Sequence, residues 1–198
     1  MSVTRILGVG LLLSGIMVGW PAATTSEVAA LSGQKVAFDE TGFRDDADAA
    51  LARWAFDRFD QAGLELPPVS LSFHDDRAAC EGYVGYFRSG APASIDICGF
   101  NWNRFLVTPK KTVLHELAHV WAHQTLDTET RQRFLDLRGL DTWHDNSVPW
   151  EEQGIEHAAE VIAWGLIDED LVLTSIGETD ELQLAVAFEL LTGSPSLR

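Results

Sequence analysis

The chain has 198 residues, with 30 Asp+Glu against 14 Lys+Arg and a formal net charge of −16. The length suits one domain, and 46% hydrophobic against 22% charged residues excludes a wholly disordered chain. Scattered basic residues under this excess of acid argue against nucleic acid and anionic lipid as partners, and two Cys are too few for a disulfide scaffold.

Residues 1–26 read as a secretory signal peptide. One positive charge, Arg5, precedes fifteen apolar residues (6–20), and the small residues Pro21-Ala22-Ala23-Thr24-Thr25-Ser26 follow. The rival reading is a retained N-terminal anchor, the one case in which a membrane would be a partner. A bilayer span takes about 20 apolar residues, and this run is shorter and holds four Gly. Residues 27–198 are then a secreted or otherwise extracytoplasmic domain. In that oxidising setting Cys80 and Cys98 are expected to pair. Such a bond closes a loop of about 18 residues, worth roughly 3 kcal/mol in the chain-entropy model. The alternative is two buried thiols. Neither Cys belongs to a Cys-x-x-Cys pair, which argues against a zinc knuckle.

Residues 45–63 read as a helix: Asp45, Asp46 and Asp48 crowd its start, where the dipole favours anions, and Gly63 is a plausible stop. Residues 69–73 alternate apolar and polar, as a half-buried strand does. Residues 81–92 hold three Gly and read as loop, with a short strand around 83–87. Residues 95–98 alternate again. Pro109 opens a helix to about Gln124, and Asp127 caps a second that ends at Gly139. A polar loop covers 141–147. A long helix is expected from Pro149 to about Ile167 and a last one over 178–191. The class is α+β: a small sheet, then an active-site helix and C-terminal helices.

One motif carries chemistry. Thr112-Val113-Leu114-His115-Glu116-Leu117-Ala118-His119 places His-Glu-x-x-His on a helix. Residues four apart share a face, so His115 and His119 can aim ring nitrogens at one metal ion. Glu116 is turned aside from the ion, which suits a general base acting on water activated by the metal. The flanking residues are uncharged, so the helix is buried, and buried titratable groups need a partner that a metal supplies. A chance match would be expected on a solvated helix instead.

A catalytic zinc site takes three protein ligands. The extended motif would put a third His at 125, which is Thr125. Downstream, Glu156 and Glu160 sit four apart beside an apolar stripe of Ile155, Ala159, Ile162, Ala163 and Leu166. Glu156 as ligand and Glu160 hydrogen-bonding a ligand His would satisfy both. Glu160, His157 and His144 stand as rival ligands, and a solvated face also holding Glu151 and Glu152 is the bland alternative. His123 reads as a core residue or a neighbour of the site, and His74 as a surface residue.

Over residues 109–167 this pattern resembles the gluzincin metallopeptidases, the thermolysin-like zincins. It is also similar to small exported bacterial zincin-like proteins. The resemblance implies a minimal zincin-like domain with His115, His119 and Glu156 on zinc, Glu160 orienting a ligand His, and Glu116 as the base in peptide-bond hydrolysis. It also implies an edge strand that holds an extended peptide, for which 95–98 is the candidate because it directly precedes the motif helix. His144 is the first choice for a donor to the transition state, with Tyr83 and Tyr86 as others. The alternatives are a catalytically silent metal-binding or cell-surface module, and a hydrolase of some other bond.

Overall fold

The computed structural model describes residues 42–99, 109–169, 176 and 180–198. The proposed export segment, residues 1–26, lies outside the described residues.

The first helix, α1 (Asp46–Gln61), starts where the Asp45 side chain accepts from the Ala47 and Asp48 amides. Its buried face is Ala52, Ala55, Phe56 and Phe59, the three- and four-residue spacing of an amphipathic helix. Asp48 is also buried. Arg44 holds both of its carboxylate oxygens, each at 2.8 Å.

Three strands follow: β1 (Val69–His74), β2 (Gly85–Arg88) and β3 (Ala93–Cys98). Their order is β1-β3-β2, with β1 parallel and β2 antiparallel to β3. Alternation buries Val69, Leu71 and Phe73 on β1 and Ala93, Ile95 and Ile97 on β3, with Leu71 opposite Ile95 and Phe73 opposite Ile97. The strand at 95–98, expected at the edge, is therefore the central one, and β1 and β2 are the edges among the described strands. Alternation specifies which face of a strand is buried, not which strands flank it. Cys98 at the end of β3 is disulfide-bonded to Cys80, 18 residues back.

The helix α2 (Pro109–Thr125) is buried over residues 111–122 and packs against α4 (Gly154–Leu166), α1 and the sheet. Between α2 and α4 comes α3 (Thr128–Arg138), capped by Asp127 and ended by Gly139 at φ 66°. The last helix, α5 (Glu181–Thr192), lies on α4, where Phe188 fills the space above Gly165. Its expected start at 178–179 lies outside the described residues. The architecture is α+β, a three-stranded mixed sheet followed by four helices, with α1 ahead of them.

The expected long helix from Pro149 is two pieces. A 3-10 turn at Trp150–Glu152 is separated from α4 by Gln153 in extended conformation. The cause is tertiary. The 141–147 loop docks here, with Thr142 O accepting from Gly154 N at 3.0 Å and Trp143 O from Ile155 N at 2.8 Å. A β-carbon at 154 would stand 2.5 Å from Leu135 Cδ2 and 3.1 Å from Thr142 O, so any larger residue has to push the docked neighbours aside. Among the described residues no helix is long and apolar enough to cross a membrane.

Candidate metal centre

His115 and His119 project from one face of α2 toward α4. Their Nε2 atoms are 3.1 Å apart, and Glu156 Oε2 lies 3.2 Å from one and 3.3 Å from the other. The three atoms form a nearly equilateral triangle. Ligand atoms bonded to tetrahedral zinc at about 2.0–2.1 Å stand about 3.3–3.4 Å apart, so the triangle has the size of one face of that tetrahedron. The donor set also fits: two imidazoles and a carboxylate suit zinc and similar divalent ions.

Charge gives a second, independent test. Three carboxylates, Glu116, Glu156 and Glu160, meet one ammonium, Lys111, around two imidazoles, which bind a metal only in their neutral form. With the carboxylates ionised the sum is −2, which a divalent cation cancels. Without a metal the centre draws in a proton instead. Burial opposes charging His115, but the Glu156 hydrogen bond and the nearby Glu116, Glu160 and Glu156 charges outweigh it and push its pKa to about 9. Burial likewise opposes ionisation of Glu156, yet His119 and His115 hold it well below the usual carboxylate range. The residues present therefore fit a bound divalent metal.

The surrounding residues fix these three. Glu160, one turn after Glu156, sits with Oε1 3.5 Å from His115 Nδ1 and Oε2 2.8 Å from Lys111 Nζ. Phe87 of β2 stacks on His119 at 5.8 Å and 14°. Trp150 lies over His115 at 6.3 Å and 28°. The Trp150 turn is in turn held by His157, whose Nε2 lies 2.8 Å from Glu151 O.

Glu116 faces a cleft of roughly 180 Å3 together with Lys111, Thr112, His115 and Glu160, under Tyr83, Val84, Gly85 and Trp150. It is buried and is not one of the three ligand atoms. Burial pushes its carboxyl up, against the opposing charges of His115 and His119. The mouth is aromatic: Tyr83 is 62% and Trp150 38% exposed.

The structure thus gathers His115, His119, Glu156, Glu116 and Glu160. It does not bring His144 to the cleft lining: that side chain is exposed and bonds Gln153 Oε1 at 2.9 Å. The loop docks through the Thr142 and Trp143 carbonyls and the Trp143 ring, which packs on Phe134, and the His144 ring stays outside. His123 is exposed against Phe87 rather than in the core. His74, half-buried, pairs with Asp96 at 2.6 Å. His157, a rival ligand in the sequence, is not part of the triangle and bonds Glu151 O instead. The residues that sequence reasoning missed are Lys111, Gly85, Trp150 and Phe87. Of these only Lys111 left a signal, four residues before His115. Compared with protein-family models, curated proteins and solved structures, the chain matches none.

Proposed function

We propose that this chain is an exported zinc-dependent peptidase of the gluzincin type. The observation that carries the reading is the triangle of His115, His119 and Glu156 beside a buried carboxylate, Glu116, that is not part of it. A site built only to hold a metal has no use for that additional acid.

His115, His119 and Glu156 would hold the ion, which when bound supplies Lewis acidity toward a carbonyl and toward water. Glu116, in the cleft floor, takes a proton from the attacking water and delivers it to the leaving amine. Glu160 Oε1 faces His115 Nδ1 at 3.5 Å, where its charge favours a proton on Nδ1 and leaves the Nε2 lone pair for the ion. The edge of β2 that no described strand pairs, whose first residue Gly85 lines the cleft, would offer backbone groups to an extended peptide. Tyr83, which lines the cleft, would supply a donor to a developing oxyanion. The Cys80–Cys98 bond fits an oxidising, extracytoplasmic compartment.

The test is metal analysis with a peptide-library digest of wild type and Glu116→Gln. Zinc in both proteins with cleavage by wild type alone supports the reading. Zinc in both with cleavage by neither favours a silent metal-binding module, and absence of zinc from wild type overturns the site.

A further inference from the structure

We infer that Lys111 is a positioning residue for the metal centre, acting through Glu160 on the ring of His115. The inference rests on the metal-binding part of the reading above, not on peptidase activity.

Three residues on α2, Lys111, His115 and His119, repeat every four positions and so share one face. Two on α4, Glu156 and Glu160, repeat every four and face them. Lys111 meets Glu160, His115 meets both acids, and His119 meets Glu156. The early end of α2 thus opposes the later part of α4, as in an antiparallel pair. The ion pair is the outer rung of a ladder whose inner rungs are the ligands.

The helix dipole does not favour a lysine here: Lys111 lies in the first turn of α2, at the positive end of the dipole. Its side chain and that of Glu160 are each only 5% exposed. Removing both charges from water costs several kcal/mol per ion, so buried pairs are often replaceable by apolar residues at no loss of stability. Stability alone therefore does not account for the pair. Its geometry does. With Oε2 on the ammonium at 2.8 Å, Glu160 has Oε1 left to face His115 Nδ1 at 3.5 Å. A proton held on Nδ1 leaves Nε2 as the lone-pair atom, and Nε2 is the corner of the triangle. Lys111 also anchors the carboxylate away from the ion, so that Glu160 does not compete with Glu156.

The experiment measures zinc affinity by chelator competition for full-length wild type, Lys111→Met, Lys111→Arg, Glu160→Gln and the Lys111→Met/Glu160→Gln double variant. Circular dichroism verifies folding of each. Imidazole nitrogen NMR follows the His115 Nδ1 proton in the zinc-loaded forms. The expected result is an affinity loss of about tenfold or more in Lys111→Met, the range for outer partners of metal ligands. Lys111→Arg should recover most of it. The double variant should be no weaker than Glu160→Gln alone, because both changes break one chain of contacts. The His115 Nδ1 signal should be lost in Lys111→Met while that of His119 stays. Wild-type zinc binding with unchanged affinity in Lys111→Met, or additive losses in the double variant, overturns the inference and leaves the metal site standing. Should Lys111→Met fail to fold, Lys111→Arg and Glu160→Gln decide: loss of the His115 signal in Glu160→Gln with retention in Lys111→Arg supports the inference, and any other pattern overturns it. A wild type that binds no zinc overturns the metal reading and this inference with it.

Discussion

Gly85 leaves open the space that Glu116 occupies. A β-carbon on Gly85 would fall 2.6 Å from Glu116 Cδ and 2.7 Å from its Cγ, so the edge strand and the acid of the motif fit only with glycine between them. Gly85→Ala should therefore shift the Glu116 carboxylate while leaving the three ligand atoms in place. Displacing a reacting group by about 1 Å can cost as much as 100-fold in rate. The expected outcome is kcat/KM down by about ten- to 100-fold with zinc content unchanged, measured on one preparation. Loss of zinc in step with activity would show that Gly85 supports the whole helix instead.

Metal removal should be visible in stability without any substrate. A ligand that binds only the folded state adds about 2.7 kcal/mol when present at 100 times its Kd. Zinc should raise the Tm of wild type, chelation should lower it, and His119→Ala should flatten both responses. Equal zinc-dependent shifts in wild type and His119→Ala would place the ion elsewhere.

Acid should weaken the first turn of α1 through Asp48. Burial pushes this carboxyl up, but the side-chain and backbone hydrogen bonds from Arg44 and its charge hold it below the ordinary 3.8. A depressed folded pKa means that the stabilising contribution is complete above about pH 4 and disappears as pH falls through the lower folded value. Asp48→Asn should cost about 1–2 kcal/mol at neutral pH, since Arg44 loses a charged partner. Denaturant melts of the two proteins should converge as pH falls through the lowered folded value; a gap independent of pH would contradict this.

His157 holds the turn that carries Trp150. Burial pushes its pKa down, so the ring stays neutral near pH 7 and its Nε2 proton is available to Glu151 O. His157→Ala should cost about 1–3 kcal/mol for the lost hydrogen bond and exposed carbonyl. It should also shift the indole NMR signal of Trp150 by releasing the ring from His115. An unmoved Trp150 signal would mean that packing, not His157, seats the turn.

What was legible in the chain was what repeats. The four-residue spacing of His115 and His119, and of Glu156 and Glu160, predicted two faces that do meet. The same spacing extends to Lys111, yet a lysine in a first turn reads as solvated until its partner on another helix is known. The break at Gln153 was illegible for a related reason. Gly154 is tolerated inside many helices, and only Leu135 and the docked 141–147 loop make it a boundary. Strand order was hidden because period-two alternation looks the same in a central and an edge strand. His144 shows the limit for loops: its direction is set by Gln153, nine residues on, and by the docking of the neighbouring Trp143, neither of which its own sequence context announces.

The Cys80–Cys98 bond closes a covalent ring, and every residue that the sheet side lends to the cleft, Tyr83, Val84 and Gly85, lies within it. The opposite wall, Lys111, Thr112, His115, Glu116, Trp150 and Glu160, lies wholly outside. One jaw is thus sewn to itself, and the other is held by packed helices. A reductant should loosen the jaw that a guest would touch and spare the one that grips the ion.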